Sequence, residues 1–329
     1  MMSDPADPAN PTGPNKWSVM AQTMPDVFDS LPDGFAVGEM LYNLPSGTYA
    51  GKQAVPIAPL GAPGTAQRTS IDSSINIYTP NGYTPTYNAW EFGMSQLVNL
   101  TPATGYELSP KYIVLITDGV PTIDRDGRTI HGSGISQAEY DWQISSIQAD
   151  GAAAGIRTFV MGVVGSDNPQ GATYDPLYML SKLAVAGGTS ASGCVPSSGV
   201  PQASSVNPRG TYCHLDLSQV LDLSTAIKQA VDGIAKAIIP CDYAIPPPPT
   251  GLGPIDPAKT AVVYNDGAGR YSLILQNTSG TCDTGWVFSD STKSKLHLCG
   301  LTCDAVHANV KATLNLVFGC ATSSIPLGN

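Results

Sequence analysis

The run Tyr112-Ile-Val-Leu-Ile-Thr-Asp-Gly119 most narrows what this chain can become. It is continuously apolar and rich in β-branched residues, with none of the alternation of a half-exposed strand. Such a run predicts a strand over Lys111–Thr117 that is buried on both faces, as in a parallel sheet covered by helices. The strand delivers Asp118 to its carboxyl end, where Gly119 turns the chain. Ile156 to Val164 is a second run of the same kind. Helical patterns lie between and after them. Thr86 to Leu100 is amphipathic. Ser136 to Ala154 opens on a serine cap with Glu139 three residues on, a capping-box pattern, and closes at Gly155. Pro176 to Ala186 ends at Gly187-Gly188, and Leu217 to Ile239 stops at Pro240. Alternating strands and helices predict an α/β fold, a doubly wound and mostly parallel sheet.

The rest of the chain divides by composition. Residues 1–15 are a polar lead with four prolines. Lys16 to Leu31 has apolar residues near helical spacing, with Pro25 expected to kink or split the helix. Phe35 to Leu44 is strand-like, Gln53 to Leu60 is expected to return antiparallel to it, and Ser70 to Ile77 reads as a short helix. The character changes at Cys241, and Pro246–Pro249 is a semi-rigid spacer. The predicted organisation is a main domain over 16–240, a proline-rich linker over 241–259, and a small β-rich, disulfide-braced domain over 260–329. The last has strands near Ala261–Tyr264, Tyr271–Leu275, Trp286–Ser289 and Leu314–Phe318, and a helix near Thr302–Asn309.

Only 13% of residues are charged, about half the usual share, and the net charge is −10. No Lys/Arg cluster occurs, so nucleic acid is not an expected partner. No apolar run is long enough to span a membrane. All seven cysteines, Cys194, Cys213, Cys241, Cys282, Cys299, Cys303 and Cys320, lie in the second half. Disulfides among them are expected, in an oxidising compartment outside the cell or at its surface. Cys194 and Cys213 flank a Ser/Pro/Gly-rich loop. Cys299 and Cys303 with His297 and His307 are also potential zinc ligands, but without two paired spacings, and disulfides are the expected chemistry. The pairing of the C-terminal cysteines is not deducible.

At the carboxyl end of a parallel sheet, Asp118 sits where such folds bind ligands. Thr84, in Gly82-Tyr-Thr-Pro-Thr86, precedes a helix that aims at the same crevice. A hydroxyl and a carboxylate from two loops form a sensible partial shell for a hard divalent cation. Lys16-Trp17, Gly82–Thr86, Tyr112–Gly119 and Leu183-Ala-Val-Ala-Gly-Gly-Thr189 occur in an order and spacing that resembles the von Willebrand factor type A domain, with its Rossmann-like sheet. The resemblance covers residues 16 to about 239. It implies Thr84 as a direct metal ligand and Asp118 as a ligand acting mostly through water. The cation implied is Mg²⁺, or Mn²⁺ or Ca²⁺, bridging to an acidic group on a protein or glycan partner. Cysteine-bearing tails of this kind are similar to those on secreted bacterial proteins with such domains.

The family's first metal loop, Asp-x-Ser-x-Ser, is absent from the sequence. Its strand would lie between Phe35–Leu44 and Lys111–Thr117. The expectation is an N-terminally shortened copy, with a degenerate, metal-free interaction module as the alternative to cation-dependent adhesion. Asp124-Arg-Asp126-Gly127 lacks the further oxygens of a calcium loop and reads as a solvated turn. Val120 stands where a phosphatase-like aspartate nucleophile would need a second acid. No glycine fingerprint follows a strand, and Gly162-Val-Val-Gly165 reads as an exit turn. No Gly-x-Ser-x-Gly elbow occurs, and the four histidines, His131, His214, His297 and His307, fit no triad. A non-enzymatic role is therefore expected.

Overall fold

The computed structural model describes residues 2, 4–7, 9–42, 54–80, 83–101, 109–130, 135–168, 175–194, 212–245, 255–309 and 312–319. Gly82, His131, Pro246–Pro249 and Cys320 lie outside them. The chain separates into two compact units, residues 1–30 with 34–231, and residues 31–33 with 232–329.

The first unit opens with helix α1 (Lys16–Ser30), continuous through Pro25. Strands β1 (Ala36–Met40) and β2 (Ala54–Pro59) pair antiparallel, as the sequence predicted, and only with each other among the described residues. Helices α2 (Ala66–Ile77) and α3 (Thr86–Val98) follow. Strand β3 (Lys111–Thr117), helix α4 (Gln137–Ala154), strand β4 (Ile156–Gly162), helix α5 (Pro176–Ala186), strand β5 (Leu215–Asp216) and the first nine residues of helix α6 (Leu223–Ile238) complete the α/β pattern, the rest of α6 belonging to the second unit. β3 and β4 pair in parallel from Lys111↔Ile156 to Thr117↔Gly162, and β5 adds a short third parallel strand beside β4.

Of the expected doubly wound, mostly parallel sheet, the described residues show a three-stranded parallel sheet in the order β3-β4-β5 beside a separate antiparallel pair. This corrects the expectation that β3 is covered on both faces. With a strand neighbour on one side only among the described residues, β3 keeps Val114 at 42% exposure, and only Leu115 and Thr117 are buried. Its free edge is not bare. The Tyr42 hydroxyl donates to the Ile116 carbonyl at 2.7 Å, satisfying a group that a further strand would otherwise take.

Burial holds this unit together. Trp90, Tyr140, Ile147, Met179, Leu180 and Leu183 bring α3, α4 and α5 onto Leu115, Ile156 and Val160 of the sheet. Fully burying one such side chain contributes roughly 1.5–3 kcal/mol. Two large polar side chains in this core find partners. The Trp90 indole N–H donates to Thr158 Oγ1 at 2.9 Å, and the Tyr140 hydroxyl donates to the Met179 carbonyl at 2.6 Å. Ser136 caps α4 by accepting from Glu139 N–H, and Gly155 ends the helix in the left-handed region at φ 66°. The reciprocal half of the capping box is not made, because the Glu139 carboxylate turns to Arg125 instead.

The second unit contains β6 (Asp242–Ala244), β7 (Thr260–Asn265), β8 (Tyr271–Ile274), β9 (Trp286–Phe288), β10 (Lys295–Leu298), helix α7 (Gly300–His307) and β11 (Thr313–Phe318). They form two three-stranded antiparallel sheets, β6-β10-β9 and β11-β7-β8. The core is small: Val262, Trp286, Leu296, Leu298 and Val306, with Cys303 among them. Disulfides Cys241–Cys303 and Cys282–Cys299 cross-link it. In the first unit, Cys194–Cys213 closes the loop flagged from sequence.

Candidate functional site

The site is built where β3 and β4 end. β3 delivers Asp118, and the Val163 N–H donates to the Thr117 carbonyl at 2.9 Å, holding the two strand exits side by side. The turn after β4 carries Gly165 at φ 92°, a conformation open to glycine. Lys16, the first residue of α1, reaches in from the other side. Its Nζ lies 3.5 Å from Asp118 Oδ2, and the two side chains are 5% and 7% exposed. A Cβ at position 165 would fall 2.4 Å from that Nζ. The glycine is therefore what leaves room for the lysine.

The electrostatics follow from burial. Removing Asp118 from water pushes its carboxyl up from the usual aspartate range, and the Lys16 ammonium opposes this without overcoming it. A buried pair of this kind contributes little net stability over apolar neighbours. Breaking it by removing one partner costs about 3–5 kcal/mol, since the other is left uncompensated.

Thr84 belongs to an adjoining loop. Its N–H donates to Thr122 Oγ1 at 2.7 Å, and its carbonyl accepts from Thr122 N–H at 2.9 Å. Thr122 lies just beyond Asp118 in sequence, so the structure joins the Thr84 loop to the Asp118 loop. The helix that Thr84 precedes, α3, has no side-chain cap. Thr86 Oγ1 and Asn88 Oδ1 in its first turn are buried without a hydrogen-bond partner among the described residues. Unmatched buried polar atoms of this kind call for a partner such as water or a polar ligand.

Past Thr122, Asp124 forms a turn. Its carboxylate accepts from the N–H groups of Asp126 and Arg128. That oxygen is committed to the backbone, in keeping with a solvated turn rather than a calcium loop. Arg125 follows. Its guanidinium lies 3.7 Å from the Trp142 ring centroid and pairs with the Glu139 carboxylate. Trp142 packs edge-on against Tyr87 with ring centroids 5.1 Å apart. Together they make a partly exposed aromatic–guanidinium patch on α4 and the loop that leaves the site.

Beneath the sheet end lies a buried polar network. The Cys213 N–H donates to Ser181 Oγ, and that hydroxyl lies 3.0 Å from His214 Nδ1. Burial pushes His214 down to about 4, partly offset by Asp216, so the ring is neutral near pH 7. Asp175, the cap of α5, is raised by burial against the N–H groups of Leu177 and Tyr178.

The donor set decides whether a divalent cation fits here. A hard cation takes six oxygens in near-octahedral array. The Asp118 carboxylate instead faces an ammonium, whose charge repels a second cation. Among the described residues, no three acidic, histidine or cysteine side chains converge at this site, and the group that does converge lies in the other unit. The residues described do not fit the ion. Lys16 is the site residue whose role the sequence left open. It was visible as half of the Lys16-Trp17 motif, but nothing local shows it beside a carboxylate more than a hundred positions away.

Among the described residues, no helix is long and apolar enough to cross a membrane. Three disulfides there fit an oxidising compartment. Neither a protein-family profile nor a curated protein matches the chain. Among solved structures it is similar to the pilus adhesin SpaC from Lactobacillus rhamnosus GG, at 13% sequence identity and a TM-score of 0.45. That match covers 88% of this chain and 35% of the adhesin, so the chain spans about a third of its length.

Proposed function

We propose that this chain is a non-enzymatic ligand-binding and adhesion protein of the extracellular space or cell surface. In this reading its first unit is a degenerate von Willebrand factor type A module. The crevice at the ends of β3 and β4, edged by the Thr84 loop and the Arg125–Trp142 patch, takes a protein or glycan without a bridging metal. The observation that carries the metal-free reading is the buried Lys16–Asp118 pair, where the family's cation would need an unclaimed carboxylate. The ordered sequence motifs and the parallel sheet ending on Asp118 support the module itself.

Cation-dependent adhesion is the second reading. It is favoured by one observation, the pinning of the Thr84 loop to the Asp118 loop through Thr122. In that reading Thr84 ligates Mg²⁺ directly, Asp118 acts through water, and an acidic group of the partner completes the shell.

A calorimetric titration of the 329-residue chain with Mg²⁺ and Mn²⁺ separates the two readings. The metal-free reading expects no binding at micromolar concentration, and capture on immobilised glycans and matrix proteins that EDTA leaves unchanged. Micromolar binding lost in Asp118→Ala would establish the second reading and overturn the first.

A further inference from the structure

In the second unit, Cys241, Cys303 and His307 bring one ligand atom each to within 4.8 Å of one another. Cys303 and His307 stand one helical turn apart on α7, so their side chains share a face. Cys241 comes from the segment before β6. His307 Nε2 lies 3.4 Å from Cys303 Sγ and 3.7 Å from Cys241 Sγ. The same nitrogen donates to the Ile239 carbonyl at 2.8 Å, which fixes the ring with Nε2 toward the sulfurs. Among the described residues, neither of the other disulfides has a histidine in such a group.

Tetrahedral zinc, with bonds of about 2.3 Å to sulfur and about 2.05 Å to nitrogen, sets a thiolate and an imidazole nitrogen about 3.5 Å apart. The two nitrogen–sulfur separations seen here bracket that spacing. What the geometry lacks is separation between the sulfurs, which tetrahedral zinc sets about 3.8 Å apart. Breaking the Cys241–Cys303 bond frees them to move apart.

We propose that the reduced pair Cys241 and Cys303, together with His307, holds one cation of the Zn²⁺ class, the fourth position being left to water. A dithiol reductant supplies the two electrons and two protons that convert the disulfide to two thiols, and becomes a disulfide itself. The cation then displaces both thiol protons to solvent. The imidazole proton passes from Nε2 to Nδ1, because Nε2 must offer its lone pair. Disulfide and metal are thus exclusive states of one cross-link between Cys241 and α7.

The test uses the full chain carrying Cys320→Ser, reduced with a phosphine and titrated with Co²⁺ and then Zn²⁺. The expected result is one Co²⁺ per chain, with a thiolate charge-transfer band and the strong visible absorption of tetrahedral cobalt. Zn²⁺ should displace it, and the oxidised protein should give no band. His307→Ala and Cys241→Ser should each weaken Zn²⁺ binding at least about tenfold, since even supporting residues around a metal cost that much. Cys282→Ser with Cys299→Ser, and Cys194→Ser with Cys213→Ser, should retain the site. Absence of the band in the reduced protein, folded or not, overturns the proposal. So does binding of undiminished affinity in His307→Ala.

Discussion

The two units solve the same stability problem with different means. The first has enough chain to lay α3, α4 and α5 over a sheet, and its interior is made of large side chains such as Trp90, Tyr140 and Met179. Its disulfide, Cys194–Cys213, ties off a loop. The second has about a hundred residues, short strands and a core of few side chains, one of them a half-cystine. A core that small sits near the margin at which cross-links become necessary. Its disulfides close spans of 62 and 17 residues, worth about 4 and about 3 kcal/mol in the chain-entropy account. The first unit is therefore held mainly by apolar burial, and the second mainly by covalent closure.

Reduction is the sharpest way to break that contrast. With no metal ion present, removing both disulfides from the second unit should cost it about 7 kcal/mol, enough to unfold it, while the first unit stays folded. Hydrogen exchange read by mass spectrometry checks this. Protection over 260–318 should collapse in reductant while protection over 111–162 persists. Loss of both together would mean that the first unit also depends on its cross-link.

A smaller effect is expected at the ion pair. Asp118→Ala strands the Lys16 ammonium in the interior and should destabilise the first unit by about 3–5 kcal/mol. The double change Lys16→Met with Asp118→Leu should recover most of that in urea denaturation. A single variant of unchanged stability would show that the pair opens to solvent.

The smallest effect comes from pH. The folded-state pKa of His214 is depressed from 6.5 to about 4, so its contribution is complete above pH 6.5 and is lost as pH falls through that interval. Taken alone, His214 would cost the first unit about 2 kcal/mol between pH 7 and pH 5. Glu39 works in the opposite sense. Burial raises it from 4.5 to about 7, so its ionisation weakens the fold as pH rises through that range. The two windows overlap from pH 4.5 to 6.5 and the opposed slopes nearly cancel there, so thermal melts should change little across it, and His214→Gln should unmask a rise in stability as pH falls from 7 to 5.

Much of the first unit was legible because its signals are local. The β3 run, the serine cap and αL glycine of α4, and the proline start of α5 each announce themselves within a turn or two, and those elements appear where the sequence put them. β6 and β10 went unread because Asp242–Ala244 and Lys295–Leu298 are too short and too polar for a period to show. They exist by pairing with each other and with β9, a non-local fact. The disulfide partners were hidden for the same reason. So was the buried Arg68, which donates to the carbonyls of Phe28 and Gly61 and ties α1 to α2. At the site, strand-end chemistry gave Asp118 and turn chemistry gave Thr84. The ammonium that meets Asp118 arrives from another helix, and no pattern along the chain records it.

The Glu139 carboxylate leaves its capping box half-made in order to grip Arg125, whose other face rests on Trp142. An arginine held on two sides has already surrendered its rotamers in the free protein. A ligand docking there, as proposed above, would be spared that ordering cost, about 0.5–1.5 kcal/mol for a long side chain. At fixed contacts, this favours tighter binding and slower release.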